Sequence, residues 1–146
     1  MRSASLSSTG SLVVDTSALL ATLFAEPVRD AVLVSLAEAD AVLLSSCCAL
    51  EASIVTSARL GAAGQAELKH LLDAFGVEVV SFTADQAALA ADAWERFGKG
   101  RHPAGLNIID CCSYALAAGS CLALLAVGKD FARTDLQVVD LDLAPA

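Results

Sequence analysis

Short apolar runs alternate along the chain with longer segments in which apolar residues recur every three or four positions. The short runs, rich in Val and Leu, predict buried strands, and the longer segments predict helices with one apolar face. The predicted strands cover residues 12–14, 41–44, 77–80, 122–127 and, at an edge of the sheet, 137–139. The predicted helices cover residues 18–24, 28–39, 47–60, 68–75 and 84–97, and a last helix begins near residue 106.

This alternation predicts an α/β fold. Right-handed crossovers between successive strands make the sheet parallel and place helices on both of its faces. We therefore expect a three-layer α/β/α domain around a central parallel sheet of four to five short strands. The chain has 146 residues, of which 56% are hydrophobic, enough for one well-packed domain. The Ser-rich residues 1–10 are expected to form a flexible tail, and residues 11–146 the folded domain.

Charge and cysteine usage narrow the classes of function. The formal net charge of -8 argues against a protein that grips long nucleic acids by bulk electrostatics, although it allows a local basic rim. The five cysteines include no C-x-x-C pair, and the chain has only two histidines. We therefore do not expect a zinc site built from Cys and His ligands. We interpret the cysteines as free thiols in a reducing, cytoplasmic compartment. Residues 111–128 are uncharged, but Gly119-Ser120 interrupts them, which favours a buried helix and strand over a membrane span.

Four acidic residues adjoin the edge where the carboxyl ends of the predicted strands meet. Asp15 directly follows the first strand, and Glu51 lies about one turn into the helix after the second. Asp110 lies near the start of the helix that leads to the fourth strand, and Asp130 follows that strand. Carboxylates packed together repel one another unless a hard cation such as Mg²⁺ or Mn²⁺ relieves the repulsion. Such a cation can activate water for attack on a phosphodiester.

Each acid also has a structural explanation. Asp15 could cap the helix that follows it, although Thr16 or Ser17 could do so as well. Asp110 could be favoured by the positive end of its helix, and Glu51 could be an exposed helix residue. Asp130 could be an ordinary turn residue. Their joint placement at one edge of the sheet favours a shared site.

A glycine-rich loop over residues 98–105 contains the densest basic cluster of the chain, formed by Lys99, Arg101 and His102. These side chains could simply be solvated. Alternatively, Arg101 and His102 could contact RNA phosphates, because the arginine fork matches phosphate geometry.

Two other phosphate-handling classes match the sequence poorly. A phosphoacceptor receiver domain needs an acid pair after its first strand and an acid after a middle strand. Here Thr16 and Ser17 follow Asp15, and Ser45-Ser46 follows the second strand. A phosphatase of the D-x-D type needs an acid where Ser17 stands.

Three motifs resemble those of a known family. Residues 14–18, VDTSA, are similar to the opening motif of PIN-domain proteins. Residues 98–107, GKGRHPAGLN, followed by Asp110-Cys111 and by SYALA at 113–117, resemble the VapC-type toxins of bacterial toxin–antitoxin pairs. Residues 128–131, GKDF, with Thr134-Asp135, are similar to their closing motif. The resemblance extends from residue 12 to about residue 141.

The resemblance implies a PIN-like fold and a metal-dependent ribonuclease that cuts structured RNAs, such as tRNA or rRNA, at single-stranded loops. It also implies a homodimer and a neutralising VapB-type antitoxin. Asp15 and Asp110 are the implied ligands of Mg²⁺ or Mn²⁺. Glu51 and Asp130 complete the implied acid set, and Ser17 is implied as a partner of the metal or substrate.

Two positions depart from the family pattern. Lys129 stands where relatives often carry Asp, Glu or Asn, and its ammonium group could pair with Asp130 or contact a phosphate. Ile109 precedes Asp110 where Gly is common, and it could narrow the approach to a metal. The alternative function is therefore a catalytically weak or inactive module for dimerisation or antitoxin binding. We expect an antitoxin helix in an apolar groove between residues 28–36 and 47–60.

Overall fold

The computed structural model describes residues 10–143, a range that includes only Gly10 of the expected tail. The strands are β1 (Leu12–Val14), β2 (Val42–Ser45), β3 (Glu78–Val80) and β4 (Ala123–Leu125). The helices are α1 (Thr16–Leu23), α2 (Arg29–Glu38), α3 (Ser46–Ala74), α4 (Ala84–Phe97) and α5 (Ile108–Ser120). Two short 3₁₀ helices follow at Phe131–Arg133 and Leu141–Leu143. All four strands are parallel, in the order β3-β2-β1-β4.

Both faces of the sheet are covered by helices, which confirms the predicted three-layer α/β/α architecture. Leu12 and Val14 of β1 pack in a core with residues of α1, α2 and α3. Val13 points to the opposite face and packs with residues of α4 and α5. Because side chains alternate along a strand, three apolar residues supply both cores. This central strand delivers Asp15 to the carboxyl edge of the sheet.

Polar side chains cap the N-termini of α1, α3 and α5 near that edge. Asp15, Ser45 and Asn107 cap α1, α3 and α5 through side-chain oxygens that accept backbone N–H groups. The cap of α1 is therefore Asp15 and not Thr16 or Ser17. Since these caps fix where each helix begins, they also fix which side chains of the first turns face the edge of the sheet.

The predicted edge strand at 137–139 is reduced to a single bridge between Leu124 and Val138. The Leu124 N–H donates to the Gln137 carbonyl, and its carbonyl accepts from the Val139 N–H, both at 2.9 Å. Both hydrogen bonds use the same residue of β4, so the pairing does not extend into a fifth strand within the described chain.

The two helices predicted over 47–60 and 68–75 are joined into one bent element, α3. The bend lies at Gly61, whose φ of 66° and ψ of -151° leave the helical region. Glycine tolerates this positive φ without steric cost. Gly64, between the two predicted segments, lies within the helix. It is buried, and a Cβ there would collide with Leu60 and Thr56.

None of the helices within residues 10–143 has the combination of length and apolar character that a membrane crossing requires. The uncharged stretch after Asp110 forms α5, a turn and β4. This matches the helix and strand expected there.

Candidate active site

Asp15 is held at the carboxyl end of β1 with only 4% of its surface exposed. Its Oδ2 accepts a hydrogen bond from the Ser17 N–H at 3.0 Å, which is the helix-capping contact. Its Oδ1 accepts a hydrogen bond from the Ser113 hydroxyl on α5 at 2.5 Å. Asp15 therefore caps α1 and also contacts a second element of the site. Buried carboxylates need such partners, and each oxygen keeps a further lone pair.

Asp110 lies in the first turn of α5 and forms a reciprocal capping box with Asn107. Its Oδ2 accepts from the Asn107 N–H at 3.0 Å, and its own N–H donates to Asn107 Oδ1 at 2.8 Å. Burial is the main cause that raises the pKa of Asp110 to about 6, against the opposing hydrogen bond from Asn107. The negative charges of Asp15, Asp130 and Glu51 raise this pKa further.

The structure thus brings the four acids into one electrostatic cluster. Glu51 is half-buried on α3, and Asp130 is exposed immediately before the first 3₁₀ helix. Both interact with Asp110 through their charges. Within residues 10–143, however, no three His, Cys, Asp or Glu side chains are close enough together to enclose a metal ion. The cluster is therefore open, with its carboxylates in electrostatic range but not arranged as a complete ligand cage.

The cluster has the chemistry of a site for a hard divalent cation. Its acids offer oxygen ligands, and the repulsion that raises the pKa of Asp110 is what a cation would relieve. Mg²⁺ commonly uses one or two carboxylates and keeps several waters, so an open acid cluster suits it. The nearby Cys48 thiol does not compete as a ligand, because burial and the charge of Asp15 raise its pKa to about 12.

Ser17 contacts the segment that follows β4, and Lys129 belongs to that segment. The Ser17 hydroxyl accepts a hydrogen bond from the Val127 N–H at 3.0 Å, so it fastens α1 to the strand end that leads to Asp130. Lys129 is exposed, and none of the ion pairs among the described residues includes it. The pairing of Lys129 with Asp130 that the sequence allowed is not formed.

The basic loop divides into a structural and a surface part. The His102 ring meets Phe97 edge-on at 5.1 Å between centroids, and its Nδ1 accepts from the Ala104 N–H at 3.0 Å. His102 is thus built into the loop. Arg101 pairs with Glu95 at 3.4 Å while both side chains remain largely exposed, a kind of contact that contributes little stability. Arg101 is therefore available at the surface.

Sequence reasoning gave no role to two residues that support the cluster. Ser113 donates to Asp15, and Cys48 lies 3.0 Å from the Ser113 hydroxyl. A signal for Ser113 was present, because it stands three residues after Asp110 and so lies on the same side of α5. No comparable signal existed for Cys48, whose contact with Ser113 joins residues 65 positions apart.

Two of the cavities beside helix α3 bear on the binding of a partner. One, of about 540 Å³, lies beside α2, but its wall on α3 is formed by residues 66–75 and not by the expected 47–60. The other, of about 710 Å³, is apolar and lies between α4, α5 and the start of α3. Trp94 and Ile108 are among its lining residues, and Ile109 brings it next to Asp110. The larger of these two cavities, which is apolar, therefore adjoins the acid cluster.

Known proteins match this chain in sequence and in fold. The PIN domain family model matches residues 12–136. Ribonuclease VapC30 of Mycobacterium tuberculosis is 44% identical over 131 residues, which are 89% of this chain and 99% of that protein. The crystal structure of Mycobacterium tuberculosis VapC20, described as a Sarcin-Ricin loop cleaving toxin, has a TM-score of 0.71 at 21% identity and covers 88% of this chain and 98% of its own.

A second solved structure, a toxin-antitoxin complex from Klebsiella pneumoniae, contains a chain with a TM-score of 0.67 at 17% identity. The match covers 89% of this chain and 97% of that one. The likeness to these two structures shows a shared fold, whereas the family model and the 44% identity show membership of the family. The four-stranded parallel sheet, the motifs that begin α1 and α5, and this identity together place the chain in the VapC branch of the PIN-domain family.

Proposed function

We propose that this protein is a Mg²⁺- or Mn²⁺-dependent endoribonuclease, the toxin of a VapBC-type pair, acting in the cytoplasm. The observation that carries the proposal is the convergence of Asp15, Glu51 and Asp130 on Asp110, whose pKa is raised to about 6. The name of the 44% identical relative, a ribonuclease, supports the same reaction here. Five free cysteine thiols suit a reducing compartment.

Asp15 and Asp110 would hold the cation, because helix caps fix both carboxylates at the sheet edge. The bound cation would supply Lewis acidity, which neutralises charge on the scissile phosphate and makes water a better nucleophile. Glu51 and Asp130 would complete the donor set, directly or through water molecules that they orient. In the metal-free protein, protonation of Asp110 below about pH 6 would compete with binding of the cation, so the affinity for the cation should fall as the pH is lowered.

The substrate in this proposal is structured RNA of the tRNA or rRNA kind, cut in a single-stranded loop. The net charge of -8 gives little bulk attraction for RNA. Recognition would therefore depend on local cations near the acids, with Arg101 and Lys129 at the surface and His102 shaping the basic loop. A fold relative described as a Sarcin-Ricin loop cleaving toxin is consistent with an exposed RNA loop as the target.

A VapB-type antitoxin is the proposed partner, and a toxin-antitoxin complex is among the structures that share the fold. The apolar cavity of about 710 Å³ beside Asp110 could receive apolar side chains of an amphipathic segment. The neighbouring acids would favour a segment that also carries a basic residue. Failure of the product of the adjacent reading frame to co-purify with this protein would count against the pairing.

We also propose a homodimer. Leu50 and Ile54 lie one turn apart on α3 and are 62% and 59% exposed, and Ile108 is 75% exposed. Large apolar side chains grouped on a surface are typical of association sites. Sedimentation of the purified protein measures the oligomeric state directly.

The proposed activity is tested by incubating the purified full chain with tRNA and rRNA. We expect cleavage at discrete positions in Mn²⁺ or Mg²⁺, none in excess EDTA, and recovery when the metal is restored. End-labelled RNA on a sequencing gel identifies the cut sites. The Asp15→Asn protein, purified in parallel, controls for contaminating nucleases, and cleavage that persists in EDTA would contradict metal dependence.

A second candidate function is an inactive PIN-like module that dimerises or binds an antitoxin. Two observations favour it: the described residues contain no ready-made group of three metal ligands, and Lys129 adds a cation beside Asp130. If calorimetry detects no Mn²⁺ binding and no RNA is cut, this alternative replaces the enzyme.

Lys129 and Arg101 give a matched test of RNA contact. We expect Lys129→Ala to weaken RNA binding about equally for different sequences and to reduce the slope of log K against log salt by about 0.7, as for loss of one phosphate contact on a single strand. The Asp15→Asn background prevents cleavage during fluorescence titrations. Arg101→Ala should have a comparable effect, because its exposed pair with Glu95 is weak and leaves Arg101 available to RNA. An unchanged salt slope for Lys129→Ala would rule out a phosphate contact.

A further inference from the structure

Ser113 makes a contact that is uncommon for a serine inside a helix. A helical serine usually donates to the carbonyl four residues earlier, as Ser35 of α2 does to Ala31 at 3.1 Å. The Ser113 hydroxyl instead donates to Asp15 Oδ1 at 2.5 Å, across 98 positions of sequence. This length is typical of a charge-assisted O–H···O⁻ bond. Ser113 is completely buried, so water does not compete for its hydroxyl.

The direction of the second contact of Ser113 follows from proton counting. A hydroxyl has one proton to donate, and that of Ser113 goes to Asp15. The Ser113 oxygen must therefore accept in its 3.0 Å contact with Cys48 Sγ, so the thiol is the donor. Burial and the charge of Asp15 raise the pKa of Cys48 to about 12, which keeps the thiol protonated at neutral pH.

Cys48 is connected back to the residue that follows Asp15. Its backbone carbonyl accepts a hydrogen bond from the Thr16 hydroxyl at 3.3 Å. A closed circuit therefore joins the start of α1, the first turn of α3 and the first turns of α5. The four side chains involved, those of Asp15, Thr16, Cys48 and Ser113, are each at most 4% exposed.

We propose that Ser113, with Cys48 behind it, is a positioning residue that orients the Asp15 carboxylate and thereby sets the affinity of the acid cluster for a divalent cation. The inference rests on the metal-dependent function proposed above. The Ser17 N–H and the Ser113 hydroxyl each bind one oxygen of Asp15, so together they prevent rotation of the carboxylate. Each oxygen retains a lone pair for the cation.

Loss of the Ser113 hydroxyl would free one end of the carboxylate. Asp15 would then sample several orientations, and binding a cation would cost the entropy of fixing one of them. Partners of this kind, which hold a metal ligand without touching the metal, typically change metal affinity by about 10–100-fold. The short contact of the Cys48 thiol is with Ser113, at 3.0 Å against 3.9 Å to the Ile109 carbonyl, so its effect on Asp15 should be smaller and should depend on the Ser113 hydroxyl.

The test measures Mn²⁺ affinity by calorimetry on the full chain, without RNA. We expect Ser113→Ala to raise the Kd for Mn²⁺ about 10–100-fold. Ser35→Ala is the matched control, because it removes a helical serine hydroxyl with the ordinary contact four residues back, and its Kd should match the wild type. Metal-free melting temperatures of all variants establish that each is folded at the titration temperature.

Cys48 variants separate positioning from general damage to the core. We expect Cys48→Ala to raise the Kd about 3–10-fold and Cys48→Ser, which keeps a donor, to stay within about 2-fold of the wild type. The double variant Ser113→Ala/Cys48→Ala should bind no more weakly than Ser113→Ala alone, because the second residue acts through the first. If Ser113→Ala does not fold, the contrast between Cys48→Ala and Cys48→Ser still tests the proposal.

Three outcomes would overturn the inference. Wild-type affinity in Ser113→Ala would remove Ser113 from metal binding while leaving the proposed ribonuclease intact. Equal Kd values for Cys48→Ala and Cys48→Ser, or full additivity in the double variant, would show that Cys48 is not linked to Asp15 through Ser113. Absence of Mn²⁺ binding by the wild type would overturn the proposed function itself, and the affinity role with it.

Discussion

Replacing Asp15 with Asn is expected to lower the rate of RNA cleavage by about 10³-fold, the size of effect seen when one preorganised electrostatic group is lost from an active site. Asn keeps the shape of the side chain and is an equally good helix cap, so it can still accept from the Ser17 N–H. It removes the negative charge at the centre of the acid cluster and places an NH₂ group where one oxygen of Asp15 accepts from Ser113. Single-turnover cleavage of an end-labelled RNA in saturating Mn²⁺ measures the loss.

The control for Asp15→Asn is Asp85→Asn. Asp85 is also an aspartate at a helix start, in the first turn of α4, but it is exposed. Its substitution should leave the cleavage rate within about 2-fold of the wild type, since Asp85 is exposed and is not among the charges that raise the pKa of Asp110. A rate within about 10-fold of the wild type for Asp15→Asn, well short of the loss a preorganised group gives, would exclude Asp15 as a metal ligand.

Replacing Asp110 with Asn is expected to remove cleavage to a similar extent but to stabilise the metal-free protein at pH 7.5. Burial and three neighbouring carboxylates hold the pKa of Asp110 at about 6, above that of an unfolded aspartate. For a fully buried group this gap corresponds to about 3 kcal/mol, and solvent screening at the half-buried Asp110 reduces it to about 1 kcal/mol. The melting temperature should rise by about 2–4 °C.

The direction in which stability changes with pH follows from the number of protons that Asp110 binds in the folded and unfolded states. Between about pH 4 and pH 6 the folded protein binds more protons at Asp110 than the unfolded chain does, so its stability falls as the pH rises. The stability that the protonated group gives is complete below about pH 4 and is lost as the pH rises through about 6. The advantage of Asp110→Asn should therefore vanish below pH 4. Thermal melts across this range, with EDTA present, measure it.

The same melting experiment with added Mn²⁺ tests whether Asp110 takes part in metal binding. The wild type should gain melting temperature on addition of Mn²⁺, because a ligand that binds only the folded state stabilises it. Asp110→Asn should gain much less, since it lacks one carboxylate of the cluster. A variant that melts lower than the wild type at pH 7.5 in EDTA would contradict the repulsion on which the proposed metal site rests.

Much of the fold follows from local sequence. Leu12–Val14 is a three-residue apolar run before an acid, and as a central strand it is paired on both edges and covered on both faces. The failure at 137–139 has a tertiary cause: both bridge hydrogen bonds use Leu124, and the extent of pairing depends on how the chain leaves β4. Likewise Gly61 does end one helical segment, but no local pattern indicated that a second would continue from it.

Only part of the candidate site could be predicted from the sequence. Parallel topology was sufficient to expect Asp15, Glu51, Asp110 and Asp130 near one edge, and the structure brings their charges together. Their roles in metal binding and catalysis stay predictions. The hydrogen bond from Ser113 to Asp15 was not accessible, because it spans 98 residues and depends on the angle at which α5 crosses β1. The contact of His102 with RNA phosphates, one of its two interpretations, stays a prediction, and its ring and Nδ1 make contacts within the loop.

The helix caps at Asp15 and Asn107 have a consequence for how this protein can change over generations. Each proposed metal-binding carboxylate also satisfies a backbone N–H group at the beginning of a helix. A substitution by Ala or Leu would remove the acid and leave that N–H group without an acceptor at the same time. Lineages that lose the reaction while keeping the folded chain should therefore drift first to Asn at positions 15 and 110, where the charge is lost but an oxygen remains to accept that N–H group.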